Sequence, residues 1–349
     1  MTYSFPGFID VHVHFRDFPE NGIAVSKAAG FACVVTMPNT TPACDSVEEV
    51  KRYLNLPGSN IIPSACITKG RLGHEVANLE ALAAAGCAFF TDDGAYVADT
   101  SVMREAMKRA ANLKMCICEH AMDPGLLKGG VIRDCPLARK LNLPTISVAV
   151  ETEAIKRDLA LCRETGCQLH IQHISTAAGV ELVRDAQKEG LPVSAEATPH
   201  HLYFSCDDLT EDDASYKMAP PLGNHEDRAE LRKAVREGAL MFATDHAPHP
   251  ADKKDKGFLG SANGIIGLEA ALGITHRVLV EEEGMSLQKW AEAWYLMPRK
   301  IIHSAVPLDF DSLPKTEFEI VEPFKIDTST WKSRTKNSPY NGLTISLKI

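Results

Sequence analysis

Asp10-Val11-His12-Val13-His14-Phe15-Arg16 decides how this 349-residue chain is read. The heptapeptide ends an apolar run, and one residue separates its two histidines. In an extended strand, residues i and i+2 project to the same face, so His12 and His14 can reach one metal ion together. Arg16 follows two positions on, where a guanidinium fork could hold a carboxylate beside that ion. Alone, such a pair is a weak signal. Its weight depends on where the other polar side chains fall.

Short apolar runs recur at 8–14, 33–37, 61–66, 87–91, 115–119, 168–172, 192–197 and 240–244, each followed by polar or Gly/Pro punctuation. Helical patterns fill intervals between them at 47–55, 75–85, 101–112, 151–165, 178–189, 226–237 and 268–282. Gly86, Gly166, Gly190 and Gly238 stand just past four of these as C-terminal stops. Strands this apolar on both faces, alternating with helices, imply a parallel sheet covered by helices. Eight such units predict an α/β fold, a (β/α)8 or TIM barrel over residues 1–305, followed by a short C-terminal tail at 306–349.

A barrel of this kind carries its chemistry at the carboxyl ends of its strands. The polar residues fall there. The first run ends in His12, His14 and Arg16, the second leads into Asn39, and the fourth ends in Asp92-Asp93-Gly94. The fifth ends at His120, the sixth at His173, the seventh at His200-His201 and the eighth at Asp245-His246. His12, His14, Asp93, His120, His173 and Asp245 supply enough nitrogen and oxygen donors for one or two catalytic zinc ions, Zn2+, with a position left for water. Such an ion lowers the pKa of bound water toward neutrality. Asp245 is placed to touch the metal and to carry the proton, as base toward water and as acid toward a leaving amide nitrogen.

Composition narrows the partners. The net charge of −9 and the absence of a basic cluster beyond 253–256 give no footprint for nucleic acid or an anionic membrane, so a small-molecule substrate is expected. No uninterrupted apolar stretch reaches membrane-spanning length, and no charged leader precedes an apolar block, so a cytoplasmic protein is expected. Ten cysteines lie scattered in apolar runs with no C-x-x-C pair and read as buried thiols.

Eight motifs together carry a family resemblance: DVHVHFR (10–16), MPNTTP (37–42), FTDDG (90–94), HIST (173–176), AEATPHHL (195–202), YKMAPPL (216–222), ATDHAPH (243–249) and GIIGLE (264–269). The chain resembles the class I dihydroorotases of the amidohydrolase superfamily from about residue 6 to its end, including the tail at 333–343. The resemblance implies a barrel of the metal-dependent amidohydrolase type. It also implies a zinc enzyme of pyrimidine biosynthesis that reversibly closes N-carbamoyl-L-aspartate into L-dihydroorotate. It assigns the metal to His12, His14, Asp93, His120, His173 and Asp245, choosing Asp93 from the adjacent pair. Arg16 and Asn39 are implied to grip the substrate carboxylate with help from His249, and Asn263 and Gly264 complete that side. Neighbouring hydrolases bridge two metals with a carboxylated lysine, but strand four has none here, so Asp93 would take the bridge.

Two positions depart from the family pattern. Ala219 stands where asparagine is usual, and Asn263 where phenylalanine usually precedes the glycine. Loss of one amide hydrogen bond to substrate costs roughly 1–3 kcal/mol if nothing replaces it. The resemblance also implies an additional segment ahead of the first strand that pairs with the tail in a small β-sandwich; 306–349 then reads as its remnant, with exposed strands at 318–321 and 343–347. Those strands could pack on the barrel, pair with a second subunit in a homo-oligomer, or stay loose. The loop 250–261 reads as a lid or as an ordinary solvated loop. Two other functions remain open: a hydantoinase- or allantoinase-like hydrolase, against which Arg16 and Asn39 argue, and a non-catalytic partner of aspartate transcarbamoylase, for which intact metal ligands would be superfluous.

Overall fold

The computed structural model describes residues 2–16 and 18–349. Its strands are β1 (Thr2–Phe5), β2 (Phe8–Val13), β3 (Phe31–Thr36), β4 (Ile61–Pro63), β5 (Cys116–Glu119), β6 (Gln168–Ile171), β7 (Val193–Ala197), β8 (Met241–Phe242), β9 (Thr316–Lys325) and β10 (Thr344–Lys348). Two parallel ladders run in the orders β2-β3-β4 and β5-β6-β7-β8. All six residues of β2 are buried, the signature of a strand covered on both faces. Helices Pro19–Ala28, Val47–Leu54, Leu79–Ala85, Thr100–Leu113, Ala149–Thr165, Ala177–Lys188, His225–Arg236 and Leu287–Arg299 alternate with the strands in the chain.

Single parallel bridges join the ladders. Phe90 bridges Ala65 beyond β4 and Ile117 in β5, and Val13 of β2 bridges His246 beyond β8. The strand expected at 87–91 is therefore reduced to one bridging residue. Its continuation is diverted at once into side-chain bonding: Asp92 accepts from the N–H groups of Ile67 and Thr68 at 2.9 and 3.1 Å, and Thr91 Oγ1 accepts from Asp93 N at 3.0 Å. The strand expected at 240–244 shortens to two residues for a similar reason. Thr244 N donates to the Asp10 carboxylate at 3.1 Å, and Thr244 Oγ1 donates to it at 2.5 Å, so a side chain replaces the ladder there.

The helix stops behave as read from the sequence at Gly86 and Gly166, whose φ values of 100° and 68° lie in the left-handed region that glycine adopts without Cβ strain. The helix expected at 75–85 begins only at Leu79, because Asn78 caps it through Ala81 N and Val76 is drawn into a bridge with Thr68. The helix expected at 268–282 is divided into a 3-10 turn at Leu268–Ala270, an α segment at Ala271–Thr275 and a π segment at His276–Glu282. Thr275 Oγ1 marks the change of pitch. It donates to Ala271 O and accepts from the indole N–H groups of Trp290 and Trp294 at 3.1 and 3.3 Å. Those two tryptophans, one turn apart on Leu287–Arg299, are fully buried.

The tail does not stay loose. β9 lies between β1 and β10 in an antiparallel sheet, so both ends of the described chain share one small layer. Tyr3 and Phe5 stack on Phe318 with ring centroids 5.6 and 5.9 Å apart. Thr316 ties this layer to the β2-β3-β4 ladder: its hydroxyl accepts from Phe8 N at 2.9 Å and donates to Gly30 O at 2.8 Å. The ten cysteines are buried and unpaired, and among the described residues no helix is long and apolar enough to cross a membrane.

Thr316→Val keeps the volume but strands a buried N–H and a carbonyl. It is expected to lower stability by about 1–3 kcal/mol in urea denaturation while the circular dichroism spectrum of the folded protein at 25 °C persists. A midpoint unchanged from wild type would show that the two layers do not depend on this hydroxyl.

Candidate metal centre

β2 sends His12 and His14 to the same face, and each ring is oriented by a partner on its Nδ1 side. His12 Nδ1 lies 2.5 Å from Glu196 Oε1, and His14 Nδ1 lies 3.0 Å from Asn39 Oδ1. Both partner oxygens accept, so the Nδ1 atoms carry protons and Nε2 is the nitrogen each ring has left for other partners. Those Nε2 atoms face carboxylates. His14 Nε2 is 2.9 Å from Asp245 Oδ1 and 3.2 Å from Asp93 Oδ2, while His12 Nε2 is 3.3 Å from Asp93 Oδ1. Among the described residues, His12 Nε2 and Asp93 Oδ1 are buried with no hydrogen-bond partner. Buried imidazole nitrogens and carboxylate oxygens this close need positive charge among them, which protons on the rings or a divalent cation can supply.

Asp93 is the hub. Its Oδ1 also lies 3.5 Å from His120 Nδ1 and 3.6 Å from His173 Nε2, so one carboxylate approaches all four imidazoles. Two sets have donor atoms close enough for one ion each, His12 with His14 and Asp245, and His12 with Asp93 and His173. Burial opposes charge on His12, yet Asp93 and Glu196 pull its pKa well above the usual value: the site calls for positive charge here. Burial lowers the His120 pKa, with Asp93 pulling the other way, which favours a neutral nitrogen donor.

The structure also separates neighbours that look alike in sequence. Asp92 spends its carboxylate on Ile67 and Thr68, leaving Asp93 as the member of the pair that enters the site. His246 accepts from Gly267 N and Leu268 N at 3.3 Å, and burial brings its pKa down to about 3, so it acts as a helix cap rather than a ligand. His201 is engaged with Thr198 and the Pro220 carbonyl. Glu196 escaped the sequence reading. Besides His12 it meets His170 Nε2 at 3.0 Å and accepts from His173 N at 3.1 Å; burial works against its charge, but the two imidazoles hold it down at about 2. Its position on β7, in phase with the other inward residues, was the available signal.

Arg16, His173 and Asp245 all have positive φ, at 45°, 34° and 50°. Non-glycine residues in this region carry strain of order 1–3 kcal/mol each, and its concentration at three strand ends marks where backbone geometry serves the site. Beside the cluster opens a cavity of about 380 Å³ lined by His14, Arg16, Asn39, Asp93, His120, His173, Ala219, Asp245, Asn263 and Gly264. Arg16 donates to Pro248 O, and its Nη2 stands 3.4 Å from His249 Nε2. His249 itself lines the adjoining cavity rather than this one, one layer behind Arg16, and its ring meets Asn263 O at 2.7 Å. Gly264 has φ 121°, and a Cβ there would lie 2.7 Å from that of Ala247. Arg71 and Tyr96 also line the cavity, and nothing in the sequence pattern announced them. Arg71 donates to the carbonyls of Asp92 and Asp93, holding the loop that carries the hub carboxylate.

Imidazoles and carboxylates converging at the strand ends of a parallel α/β sheet, beside a guanidinium-lined cavity, define an enzyme of the amidohydrolase class. A family model described as Dihydro-orotase-like matches residues 3–178. The chain is 37% identical over 356 residues to a dihydroorotase of Geobacillus thermodenitrificans (strain NG80-2), covering 97% of this chain and 82% of that one. It is 35% identical over 355 residues to a dihydroorotase of Staphylococcus epidermidis (strain ATCC 35984), covering 97% and 83%. Among solved structures, L-hydantoinase (dihydropyrimidinase) from Arthrobacter aurescens matches with a TM-score of 0.84 at 23% identity, over 99% of this chain and 82% of that one. Dihydroorotase from Saccharomyces cerevisiae, in complex with 5-fluoroorotic acid, matches with a TM-score of 0.77 at 18% identity, over 99% and 98%. At those identities the structural matches speak to fold alone. The chain belongs to the dihydro-orotase-like family.

Glu196→Gln removes the charge that orients His12 while keeping the shape. Zinc affinity, measured by competition with a chromophoric chelator, is expected to fall about 10- to 100-fold with the circular dichroism spectrum unchanged. Unaltered affinity would show that Glu196 does not serve the metal.

Proposed function

We propose that this protein is a zinc-dependent dihydroorotase, interconverting N-carbamoyl-L-aspartate and L-dihydroorotate, and that its two ladders and connecting bridges form one closed (β/α)8 barrel. The observation that carries the reading is the convergence of the His12 and His14 Nε2 atoms on Asp93 and Asp245 beside a cavity containing Arg16 and Asn39. Imidazole and carboxylate donors would suit zinc, which His12, His14, Asp93, His120, His173 and Asp245 would hold. When bound, the metal supplies Lewis-acid activation of water and of the ring amide carbonyl.

The chain's own residues do the rest. Asp245, oriented by His14, takes the proton from attacking water and delivers it to the ring nitrogen as the amide bond breaks; in the cyclisation direction the same carboxylate moves the proton back. Arg16, fixed against Pro248 O, meets the substrate carboxylate, and Asn39, whose oxygen is engaged by His14, turns its amide N–H groups to the same task. Asn263 and Gly264 form the facing wall, and His249 supports it from behind through Asn263 O. A hydantoin carries no such carboxylate, so this cavity favours the carboxylated ring.

Asp245→Ala is expected to lower dihydroorotate hydrolysis, followed by ultraviolet absorbance, by at least about a hundredfold. Equal rates in mutant and wild type would overturn the assignment. Independently, dialysis against a chelator should abolish turnover, and added zinc should restore it. Full activity in protein shown to be free of metal would remove zinc from the reaction.

A further inference from the structure

We infer that Asn337, contributed by the C-terminal tail, positions the carboxylate-binding side of the cavity, an inference that rests on the reading that Arg16 grips the substrate carboxylate. The residue lies far from the metal cluster in sequence and is 8% exposed. Its amide Nδ2 donates to Ala247 O at 3.4 Å and to Gly264 O at 3.3 Å, and its Oδ1 accepts from His249 N at 3.5 Å. Its own carbonyl accepts from Ile266 N at 3.1 Å. One side chain thus fastens the loop that follows β8 to the loop that holds Gly264.

Both fastened loops line the cavity, through Ala247 on one and Asn263 and Gly264 on the other. Between Ala247 and His249, which Asn337 clasps on either side, lies Pro248, whose carbonyl receives the Arg16 guanidinium. Asn337 therefore sets where the backbone acceptor for Arg16 stands, and with it where the fork points. The amide is itself oriented, since Thr335 Oγ1 donates to its Oδ1 at 2.6 Å. The segment is moored to the barrel by Glu269, whose carboxylate accepts from Lys332 N at 2.6 Å and from the Ser333 hydroxyl at 2.6 Å. The tail thus braces the loops that wall the substrate site, besides supplying two strands of the small sheet.

The test uses full-length, zinc-loaded enzyme and dihydroorotate. Asn337→Ala should raise KM about tenfold while kcat changes less than about threefold and zinc content stays at the wild-type level, the pattern of a lost binding geometry rather than lost chemistry. Asn337→Asp keeps the acceptor but loses both donations, so it should resemble the alanine variant, and Thr335→Val should shift KM the same way by a smaller factor. Arg16→Lys is the control. If it raises KM and the Asn337 variants do not, the inference fails and the reading of Arg16 stands; if it leaves KM unmoved, that reading fails first. A fall in melting temperature or zinc content with KM unchanged would make Asn337 merely structural and overturn the inference. Should Asn337→Ala prove insoluble, Thr335→Val decides, and an unchanged KM in that variant counts against it.

Discussion

The whole arrangement depends on imidazole nitrogens and carboxylate oxygens brought face to face. Glu196 and Asn39 accept the Nδ1 protons of His12 and His14, and this leaves both Nε2 atoms aimed at the oxygens of Asp93 and Asp245. In a buried site such a cluster needs positive charge among its carboxylates, whether from protonated rings or from a bound cation. The scaffold sets the spacing that makes either possible. This is why Glu196, which stands behind His12, matters to the geometry of the whole cluster.

Holding them requires short ladders and strained ends. β8 is two residues long and the fourth strand is a single bridge, yet both lead into the cluster, at Asp245 and Asp93. What the backbone ladder does not supply, side chains supply: Asp10 ties β2 to Thr244, and Asp92 ties the fourth position to Ile67 and Thr68. Burial pushes the Asp10 pKa up to about 7, with the Thr244 and His12 donors working against the rise, so its bonds to Thr244 form a seam sealed from solvent. Left-handed backbone at Arg16, His173 and Asp245 then swings each side chain inward from its strand end. Strain of this kind persists only where surrounding contacts over-determine it, and these paired carboxylates are such contacts.

What could be read from the sequence follows from which interactions are periodic. Strand-end histidines and aspartates were legible because period-2 geometry and the barrel rule place them without knowledge of any loop; His12, His14, His120 and His173 lie around Asp93, and Asp245 meets His14. The alternation of strand and helix was legible for the same reason, although helix Leu287–Arg299 and the split of 268–282 were not, since a pitch change set by one threonine hydroxyl leaves no mark on a hydrophobic pattern. The tail illustrates the other limit. Pairing of β9 with β1 joins segments more than 300 residues apart, and nothing local in either segment names its partner. Arg71 was invisible because its guanidinium bonds to backbone carbonyls, which every residue possesses.

These limits point to a division of labour within the site. The imidazoles and carboxylates of the cluster come from strand ends, where the sheet fixes position, and they are the residues the motifs spell out. The rest of the cavity wall comes from loops, Ala219 and Asn263 among them, with tail contacts at Asn337 bracing the segment after β8. The two departures from the usual family pattern, Ala219 and Asn263, both fall in this second group. Change there leaves the cluster of imidazoles and carboxylates untouched, because none of its members belongs to that group. Reaction type is thus written in the strands, while substrate choice is written in loops whose positions are set by long-range hydrogen bonds.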